Sequence, residues 1–358
     1  MSIAFYKKGI YTVLIFIVSC INIDYEYYYP AEKIPSFLET EPVVNGGDAA
    51  DDCAIWINDA DITLSRIIAT DKKGGLVVYD LSGKITAYIN DGLLNNVDLR
   101  YDFNLGGSSV CIIAASNRSN NTISIYKMNE VLLIPEDISN RDIFTDFSDA
   151  YGICMYKSSI SGLLYVFVTD HSGQIEQWRL FDAGNGRIDA EFERTVKVNS
   201  TAEGCVAFDE KNLLFVAEEH GGIWMFDAEP TGSMIGEKVI NISSKNYYLT
   251  PEIEGLTIIR LPGDRNYLVA SVQGNDSFAI FHIQDGLAWK GSFRLSANKA
   301  KGIDRVTHTD GIDAYSGILG HEYPEGIFIA QDDDNTPSGL NQNFKFLPLE
   351  KIIAKFGL

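Results

Sequence analysis

The sequence contains few of the groups that bind transition metals or nucleic acids. Its five histidines are scattered singly, and only 29 Lys and Arg stand against 49 Asp and Glu, so the formal net charge is −20. Because this charge repels nucleic acid and anionic lipid headgroups, we expect neither as a partner. Four cysteines lie in apolar stretches without the spacing of a zinc site: Cys53, Cys111, Cys154 and Cys205. We predict buried free thiols, although an exported protein could pair them as disulfides.

The amino-terminal apolar run is too short to cross a bilayer. It spans residues 10–18, follows Lys7 and Lys8, and ends shortly before Cys20. A short basic region followed by an apolar run of this length is typical of an export signal. The residues just before Cys20 resemble a lipoprotein cleavage motif, which predicts a signal peptide at residues 1–19 and a lipid on Cys20. The alternative is an ordinary signal peptide with an incidental cysteine.

These signals predict an exported protein with one folded domain. It would be an outer-membrane or cell-surface lipoprotein, or otherwise periplasmic or secreted, and its only contact with a membrane would be the lipid anchor. Residues 20–42 lack clear periodicity and suit a tether. Residues 43–358 are assigned to a single domain.

What the sequence does contain is a repeated unit of apolar strand, short polar turn and apolar strand, without long amphipathic helical patterns. Equivalent points in the six copies are Ile68, Ile113, Val166, Val216, Val269 and Ile329. They lie roughly 45 to 60 residues apart, which is the spacing of a propeller blade. Radial stacking of such sheets buries both faces of each one, which a single sheet cannot do. We therefore predict an all-β fold, a six-bladed β-propeller, in preference to a pair of β-sandwiches.

Acidic and amide side chains recur in the turns and strand starts of these units. They include Asp51, Asp52, Glu203, Glu219, Glu252, Glu254, Gln273, Asp304, Asp310, Asp332 and Asn335. Equivalent turns of a propeller converge on one end of the central channel, where a ring of carboxylates repels itself unless cations neutralise it. Oxygen ligands in irregular geometry favour calcium over magnesium or a transition metal. The alternative is that these acids are solvated turn residues.

A few basic side chains lie among these acids. They are Lys72, Lys73 and Arg118. Each alone would be an ordinary surface residue, but in an acidic rim they indicate an anion that binds together with cations. Phosphate fits this description, because Arg and Lys bind its oxygens directly while calcium bridges others.

Many segments in one order carry a resemblance to a known family. They include TDKKGGLVVYDL, ASNRSNNTISIY, TDHSGQIEQW, TAEGCVAFDE, AEEHGGIWMF, EIEGLTI and AQDDDNTPSGLNQNFKF. The chain resembles the β-propeller phytases from about residue 48 to about residue 349. The resemblance implies a calcium-dependent phosphomonoesterase of the 3-phytase type, with several Ca²⁺ ions as cofactors. Its substrate would be phytate (myo-inositol hexakisphosphate) as its calcium complex, cleaved by in-line attack of calcium-activated water without a covalent phosphoenzyme.

The resemblance also implies roles for individual residues. The catalytic residues would be Lys72, Arg118, Tyr151, His171 and Glu203. Calcium ligands would be Asp51, Asp52, Glu203, Glu219, Glu252, Glu254, Gln273, Asp304 and Asp310, with a structural calcium near Asp332 and Asn335. Nothing in the sequence requires more than a monomer.

The sequence departs from the family's pattern at three positions of this site. His171 stands where a lysine is usual, which would weaken one phosphate contact or make it dependent on pH. Glu252 replaces an aspartate, and its extra methylene could shift a calcium ligand. His308 replaces an acidic residue. The departures leave rate, pH optimum and metal affinity open.

Other hydrolytic chemistries need motifs that are missing. The chain has no Arg-His-Gly-x-Arg, no Cys-x5-Arg phosphate loop and no Gly-x-Ser-x-Gly. Two alternatives remain. One is a calcium-dependent propeller lactonase, against which the bases Lys72 and Arg118 argue. The other is a non-catalytic calcium-stabilised binding propeller, for which the departures at His171, Glu252 and His308 leave room.

Overall fold

The computed structural model describes residues 30–243 and 248–358, so the predicted signal peptide (1–19) and Cys20 lie outside the described residues. Most of this part forms strands, of which β1 (Glu32–Pro35) and β2 (Leu38–Glu39) come first. One α-helix, α1 (Leu349–Phe356), follows the last strand, and short 3₁₀ helices lie at Ile62–Leu64, Asp209–Lys211, Gln273–Asn275 and Ile283–Asp285. None of the helices described is long and apolar enough to pass through a bilayer.

Six small sheets follow one another along the chain, and the strands of each run antiparallel from the innermost outward, apart from the parallel edge strand β1 of the fifth sheet. The first two sheets contain β3 (Ala50–Trp56), β4 (Arg66–Asp71), β5 (Gly75–Tyr79) and β6 (Ile85–Asn90), then β7 (Leu94–Leu105), β8 (Ser108–Asn117), β9 (Thr122–Asn129), β10 (Ile134–Asp137) and β11 (Ile143–Phe144). The third and fourth contain β12 (Ile153–Lys157), β13 (Leu164–Thr169), β14 (Gln174–Gly184) and β15 (Arg187–Lys197), then β16 (Ala202–Phe208), β17 (Leu213–Glu218), β18 (Gly222–Asp227) and β19 (Glu237–Asn241). The fifth and sixth contain β20 (Ile253–Leu261), β21 (Arg265–Val272), β22 (Ser277–His282) and β23 (Ala288–Ser296), then β24 (Ile312–Tyr315), β25 (Ile327–Asp332) and β26 (Asn343–Pro348). The prediction of an all-β, six-bladed propeller is confirmed.

The two amino-terminal strands close the ring. In the last blade, β2 is the outermost strand and pairs antiparallel with β26, so that the blade combines strands from both ends of the chain. β1 adds a fifth strand to the preceding blade, parallel to β23. Residues 32–39, which the sequence assigned to a tether at 20–42, therefore belong to the propeller, because their backbone groups complete the edges of two sheets.

The core consists of apolar clusters between neighbouring blades. The six points that defined the sequence repeat fall on the second strand of each blade, and all are completely buried: Ile68, Ile113, Val166, Val216, Val269 and Ile329. Along β9, Ile123 and Ile125 pack toward the third blade, whereas Tyr126 and Met128 pack toward the first. Both faces of a blade are thus buried, as radial stacking requires. The four cysteines of the described residues are buried and unpaired.

Aspartate side chains join the innermost strands of adjacent blades. The channel-side edge of such a strand has no partner within its own sheet, so its backbone N–H groups need other acceptors. Met155 N donates to Asp98 Oδ2 of the preceding blade (2.8 Å), and Ile55 N donates to Asp313 Oδ2 in the same way (3.0 Å). These bonds fix the distance between blades around the channel.

Replacing Asp98 with alanine should destabilise the protein by about 2 to 3 kcal/mol, since a donor that is left buried and unpaired costs about that much. The substitution removes the acceptor of Met155 N and one carboxylate partner of Arg100, whose Nη1 lies 3.0 Å from Asp98 Oδ2. Urea denaturation would measure the change as a lower midpoint with an unchanged slope. The exposed Asp59→Ala is the control and should stay within about 0.5 kcal/mol of the parent. Equal midpoints for the two variants would contradict the inter-blade role.

Candidate functional site

An open pocket of 490 Å³ lies at the mouth of the central channel. It is formed by residues near the starts of innermost strands and by the turns between the second and third strands of four blades. Nine of the residues predicted from the sequence line it together: Asp51, Lys72, Tyr151, Glu203, Glu219, Glu252, Glu254, Gln273 and Asp310. The structure therefore gathers on one surface residues that are far apart along the chain.

Close packing of the innermost strands brings these side chains together. In four blades a glycine follows the pocket residue: Gly152, Gly204, Gly255 and Gly311. A Cβ on Gly204 would lie 1.9 Å from the carbonyl oxygen of Glu254, so no larger residue fits there. Without a side chain in the way, Gly255 N donates to Asp310 O (3.0 Å) and Gly311 N donates to Asp51 O (2.9 Å). A polar residue followed by glycine is thus the local signal that forms the polar ring.

Three carboxylates meet in the pocket. One oxygen from each of Glu203, Glu219 and Glu254 lies within 4.8 Å of the other two, which suits a single ion with Ca–O distances of about 2.3 to 2.6 Å. Oε2 of Glu254 is buried and has no hydrogen-bond partner. Burial, reinforced by the charge of Glu203, raises the pKa of Glu254 well above its ordinary value, and the same causes raise the pKa of Glu219 to about 7. Such a group is costly without a cation, so these residues fit a hard divalent ion.

Lys72 places an ammonium group in the same pocket. Its Nζ lies 2.8 Å from Asp51 Oδ1, 2.8 Å from Asp48 Oδ1 and 3.3 Å from Asp310 Oδ2. Burial alone would lower the pKa of Lys72, but the carboxylates of Asp51 and Asp310 outweigh it and the pKa is raised. At Asp51 burial outweighs the attraction of Lys72, and the pKa rises to about 7. Lys72 is therefore a fixed positive charge among acids that hold protons readily.

Asn95 links the acidic side of the pocket to Arg118. Its Nδ2 lies 2.8 Å from Glu203 Oε1 and 3.1 Å from Asp51 Oδ2, while its Oδ1 accepts from Arg118 Nη1 (3.2 Å). Tyr151 lines the same pocket, and burial, reinforced by the charges of Glu203 and Glu254, raises its pKa. Tyr151 therefore keeps its proton.

Arg118, Tyr151 and His171 form a cluster at the edge of the pocket. The centroids of the Tyr151 and His171 rings are 4.0 Å apart with the planes tilted by 33°, and Arg118 Cζ lies 5.6 Å from the centre of the Tyr151 ring. Asp149 joins the two bases, accepting from Arg118 Nε and Nη2 (2.8 Å each) and lying 3.2 Å from His171 Nε2. Arginine and imidazole donors beside a phenol can bind the oxygens of a phosphate group.

Asp52 lies further inside the channel than the pocket residues. It lines a second, smaller cavity of 70 Å³ together with Asp98 and Asp313. Its Oδ2 accepts from Val97 N of the next blade (3.1 Å), and burial raises its pKa well above the ordinary value. The structure therefore separates Asp52 from the mouth of the channel.

Three predicted metal ligands lie in another part of the last blade. Lys345 is completely buried, and its Nζ lies 2.6 Å from Asp304 Oδ1, 2.8 Å from Asp332 Oδ2 and 2.7 Å from Glu39 Oε2. Asn335, in the turn after Asp332, donates from Nδ2 to a backbone carbonyl of the same turn (2.8 Å). Asp304, which the sequence grouped with the channel ligands, thus belongs to a separate acidic cluster, because β26 brings Lys345 alongside β25.

Two of the three residues that depart from the family's pattern, Glu252 and His308, line the pocket. Glu252 lines it with φ 68°, and its backbone N–H donates to Glu219 O (2.9 Å). His308 lines it with φ 39°, and its Nδ1 lies 3.7 Å from Asp333 Oδ2. Neither substitution moves its side chain out of the site.

Three residues of the site escaped the sequence analysis: Asp48, Asn95 and Asp149. Asn95 occupies the same position in its innermost strand as Asp51, Glu203 and Glu254 do in theirs, so aligning the strand starts would have found it. Asp149 lies in a loop without periodicity, and the sequence around it carries no comparable signal.

The fold and the pocket define a propeller enzyme with an acidic site for an anionic substrate, and comparison with known proteins identifies its family. The family model described as Phytase matches residues 9–358. A curated relative, the 3-phytase of Bacillus subtilis (strain 168), is 42% identical over 346 residues, which cover 95% of this chain and 89% of the relative. The chain belongs to the phytase family and is a phytate-hydrolysing enzyme.

Similar solved structures are more distant. BBS1N in complex with ARL6DN is 14% identical, with a TM-score of 0.45, and the match covers 82% of this chain and 78% of that chain. A functionally unknown protein from Desulfotomaculum acetoxidans is 13% identical, with a TM-score of 0.46 and coverage of 69% and 72%. At such TM-scores the likeness carries no argument about this chain.

Proposed function

We propose that the phytate-hydrolysing activity of this chain depends on calcium and uses direct attack of water on phosphorus. The observation that carries the proposal is the group of carboxylate oxygens from Glu203, Glu219 and Glu254 within 4.8 Å of one another. This group shares its pocket with the ammonium of Lys72. An acidic protein accepts a highly anionic substrate most readily when cations lie between them.

The residues that would hold calcium are the three glutamates with Asp51, Asp310 and Gln273. Bound calcium neutralises phosphate oxygens and lowers the pKa of water. Lys72, Arg118 and Tyr151 would bind phosphate oxygens directly. Among the described residues that line the pocket there is no serine, threonine or cysteine that could act as nucleophile, and we assign the attack to water.

Release of inorganic phosphate from phytate tests the proposal. The rate should fall at least about tenfold in chelator and return on adding calcium, with less recovery for magnesium, because magnesium demands near-octahedral geometry. A parallel assay with lactones should show no hydrolysis. Phosphate release that survives chelation would overturn the calcium dependence, and lactone hydrolysis would favour the alternative propeller hydrolase.

We also propose that the chain is exported, monomeric and anchored by a lipid on Cys20. The basic and apolar segments at residues 7–18 support export, and the residues before Cys20 support the lipid anchor. Metabolic labelling with a fatty acid should mark the parent protein but not Cys20→Ser. Equal labelling of both proteins would show that the lipid is not on Cys20.

A further inference from the structure

Asp149 contacts both bases at the edge of the pocket. It accepts from Nε and Nη2 of Arg118 at 2.8 Å each, and it lies 3.2 Å from Nε2 of His171. Arginine has five N–H groups, of which Asp149 takes two and Asn95 takes one, at 3.2 Å. Two N–H groups of Arg118 are left for a ligand, and their direction is fixed by the bonds on the other side of the guanidinium.

We propose that Asp149 is a positioning residue for substrate binding: it holds Arg118 and His171 in one arrangement so that both face the same phosphate group of phytate. This inference rests on the proposed function, which assigns the phosphate contacts to Arg118 and its neighbours. The ring of Tyr151 lies beside both bases: its centroid is 4.0 Å from that of the His171 ring, at a tilt of 33°, and 5.6 Å from Arg118 Cζ. A long side chain that is already ordered loses less entropy when a ligand binds.

A contrary account of Asp149 gives the opposite sign. A carboxylate near the substrate repels phosphate, so on charge alone its removal should tighten binding. If Asp149 acts by positioning, its removal should weaken binding even though a negative charge is lost. The sign of the change in KM therefore distinguishes the two.

The test is the kinetics of Asp149→Asn and Asp149→Glu with phytate. We expect KM, and the inhibition constant of inorganic phosphate, to rise about tenfold in both variants, while kcat changes by less than about threefold. Asp149→Glu retains the charge and moves the carboxylate by one methylene, so a purely electrostatic role predicts no effect from it. A fall in KM for Asp149→Asn, or an unchanged KM for Asp149→Glu, would overturn the proposal.

Two controls separate positioning from damage to the fold. Asp189→Asn breaks a similar ion pair on the outer strand β15, where Arg141 Nη2 lies 2.8 Å from Asp189 Oδ1, and it should leave KM unchanged. In a background of Arg118→Ala with His171→Ala, the further change Asp149→Asn should have no effect on KM, because its partners are gone. An effect that persists there shows a merely structural role and overturns the proposal.

The KM of Arg118→Ala alone separates the assignment of the phosphate site from the positioning role of Asp149. A rise in KM supports the phosphate site, and if Asp149→Asn then leaves KM unchanged, only the role of Asp149 is wrong. An unchanged KM for Arg118→Ala overturns the assignment of Arg118 to phosphate, and the positioning role falls with it.

Discussion

Replacing Glu254 with glutamine should lower kcat/KM for phytate by about a thousandfold, which is about 4 kcal/mol of transition-state stabilisation. Glu254 is 5% exposed and is one of the three carboxylates whose oxygens lie within 4.8 Å of one another. Glutamine has the same shape but no charge, so it weakens the attraction for a divalent ion without opening a cavity. The rate of phosphate release at saturating calcium measures the loss.

The same substitution should stabilise the calcium-free protein. Burial raises the pKa of Glu254, and the charges of Glu203, Glu219 and Asp310 raise it further. Ionising all four carboxyl groups is therefore unfavourable. Removing one like charge relieves this repulsion, and the new amide can donate to Glu203. In chelator we expect the Tm to rise by about 2 to 5 °C, a gain in stability where function is lost. Calcium should then raise the Tm of Glu254→Gln much less than that of the parent.

Glu176 provides the matched control for Glu254. It is a glutamate that is 3% exposed, but its oxygens accept from Asp146 N (3.1 Å) and Trp178 Nε1 (2.9 Å). In Glu176→Gln the amide NH₂ would face one of these two N–H donors and could not accept its hydrogen bond. The substitution should therefore lower the Tm and leave the rate of phosphate release near that of the parent. Activity that is unchanged in Glu254→Gln, or a lower Tm for it in chelator, would contradict the role given to the three glutamates.

The blade repeat was predictable because each blade buries the same face in the same way. The positions chosen from sequence spacing, such as Val166 and Val216, are completely buried on the second strands. The closure of the ring was not predictable, because β2 contains only Leu38 and Glu39 and its pairing with β26 joins opposite ends of the chain. A strand of two residues shows no hydrophobic periodicity, and its position is determined by a tertiary contact.

The residues of the candidate site also differ in whether a local sequence signal or only a tertiary contact places them there. Residues at or just before the start of an innermost strand, such as Glu203 and Asp310, carry a local signal, because a glycine follows each of them. Asp304 was grouped with the channel ligands because the sequence shows that it is acidic but does not show its partner Lys345, which lies on a strand distant in sequence. Asp149 was missed for the same reason, since only the folded chain brings it against Arg118.

The calcium-free protein should be more stable at pH 5 than at pH 8. In the folded state the pKa of Asp51 and of Glu219 is raised to about 7, in both cases chiefly by burial, and the pKa of Asp310 lies well above its ordinary value. In the unfolded chain these groups ionise near about pH 4. Between these values the folded state holds protons that the unfolded state has released, so the free energy of unfolding falls as pH rises through that window. We expect the Tm in chelator to drop by at least about 5 °C from pH 5 to pH 8.

Saturating calcium should reverse the sign of this dependence. On the proposed calcium dependence, the ion would bind the ionised carboxylates in competition with their protons, so its apparent affinity should increase as pH rises toward and above about 7. Because an ion that binds only the folded state adds to stability, the Tm with calcium should rise from pH 5 to pH 8 while the Tm in chelator falls. Thermal unfolding at both pH values, with and without calcium, measures the two slopes on one protein. Parallel slopes would show that these carboxylates are not the groups that exchange protons for calcium, and the assignment of Asp51, Glu219 and Asp310 as ligands would be wrong.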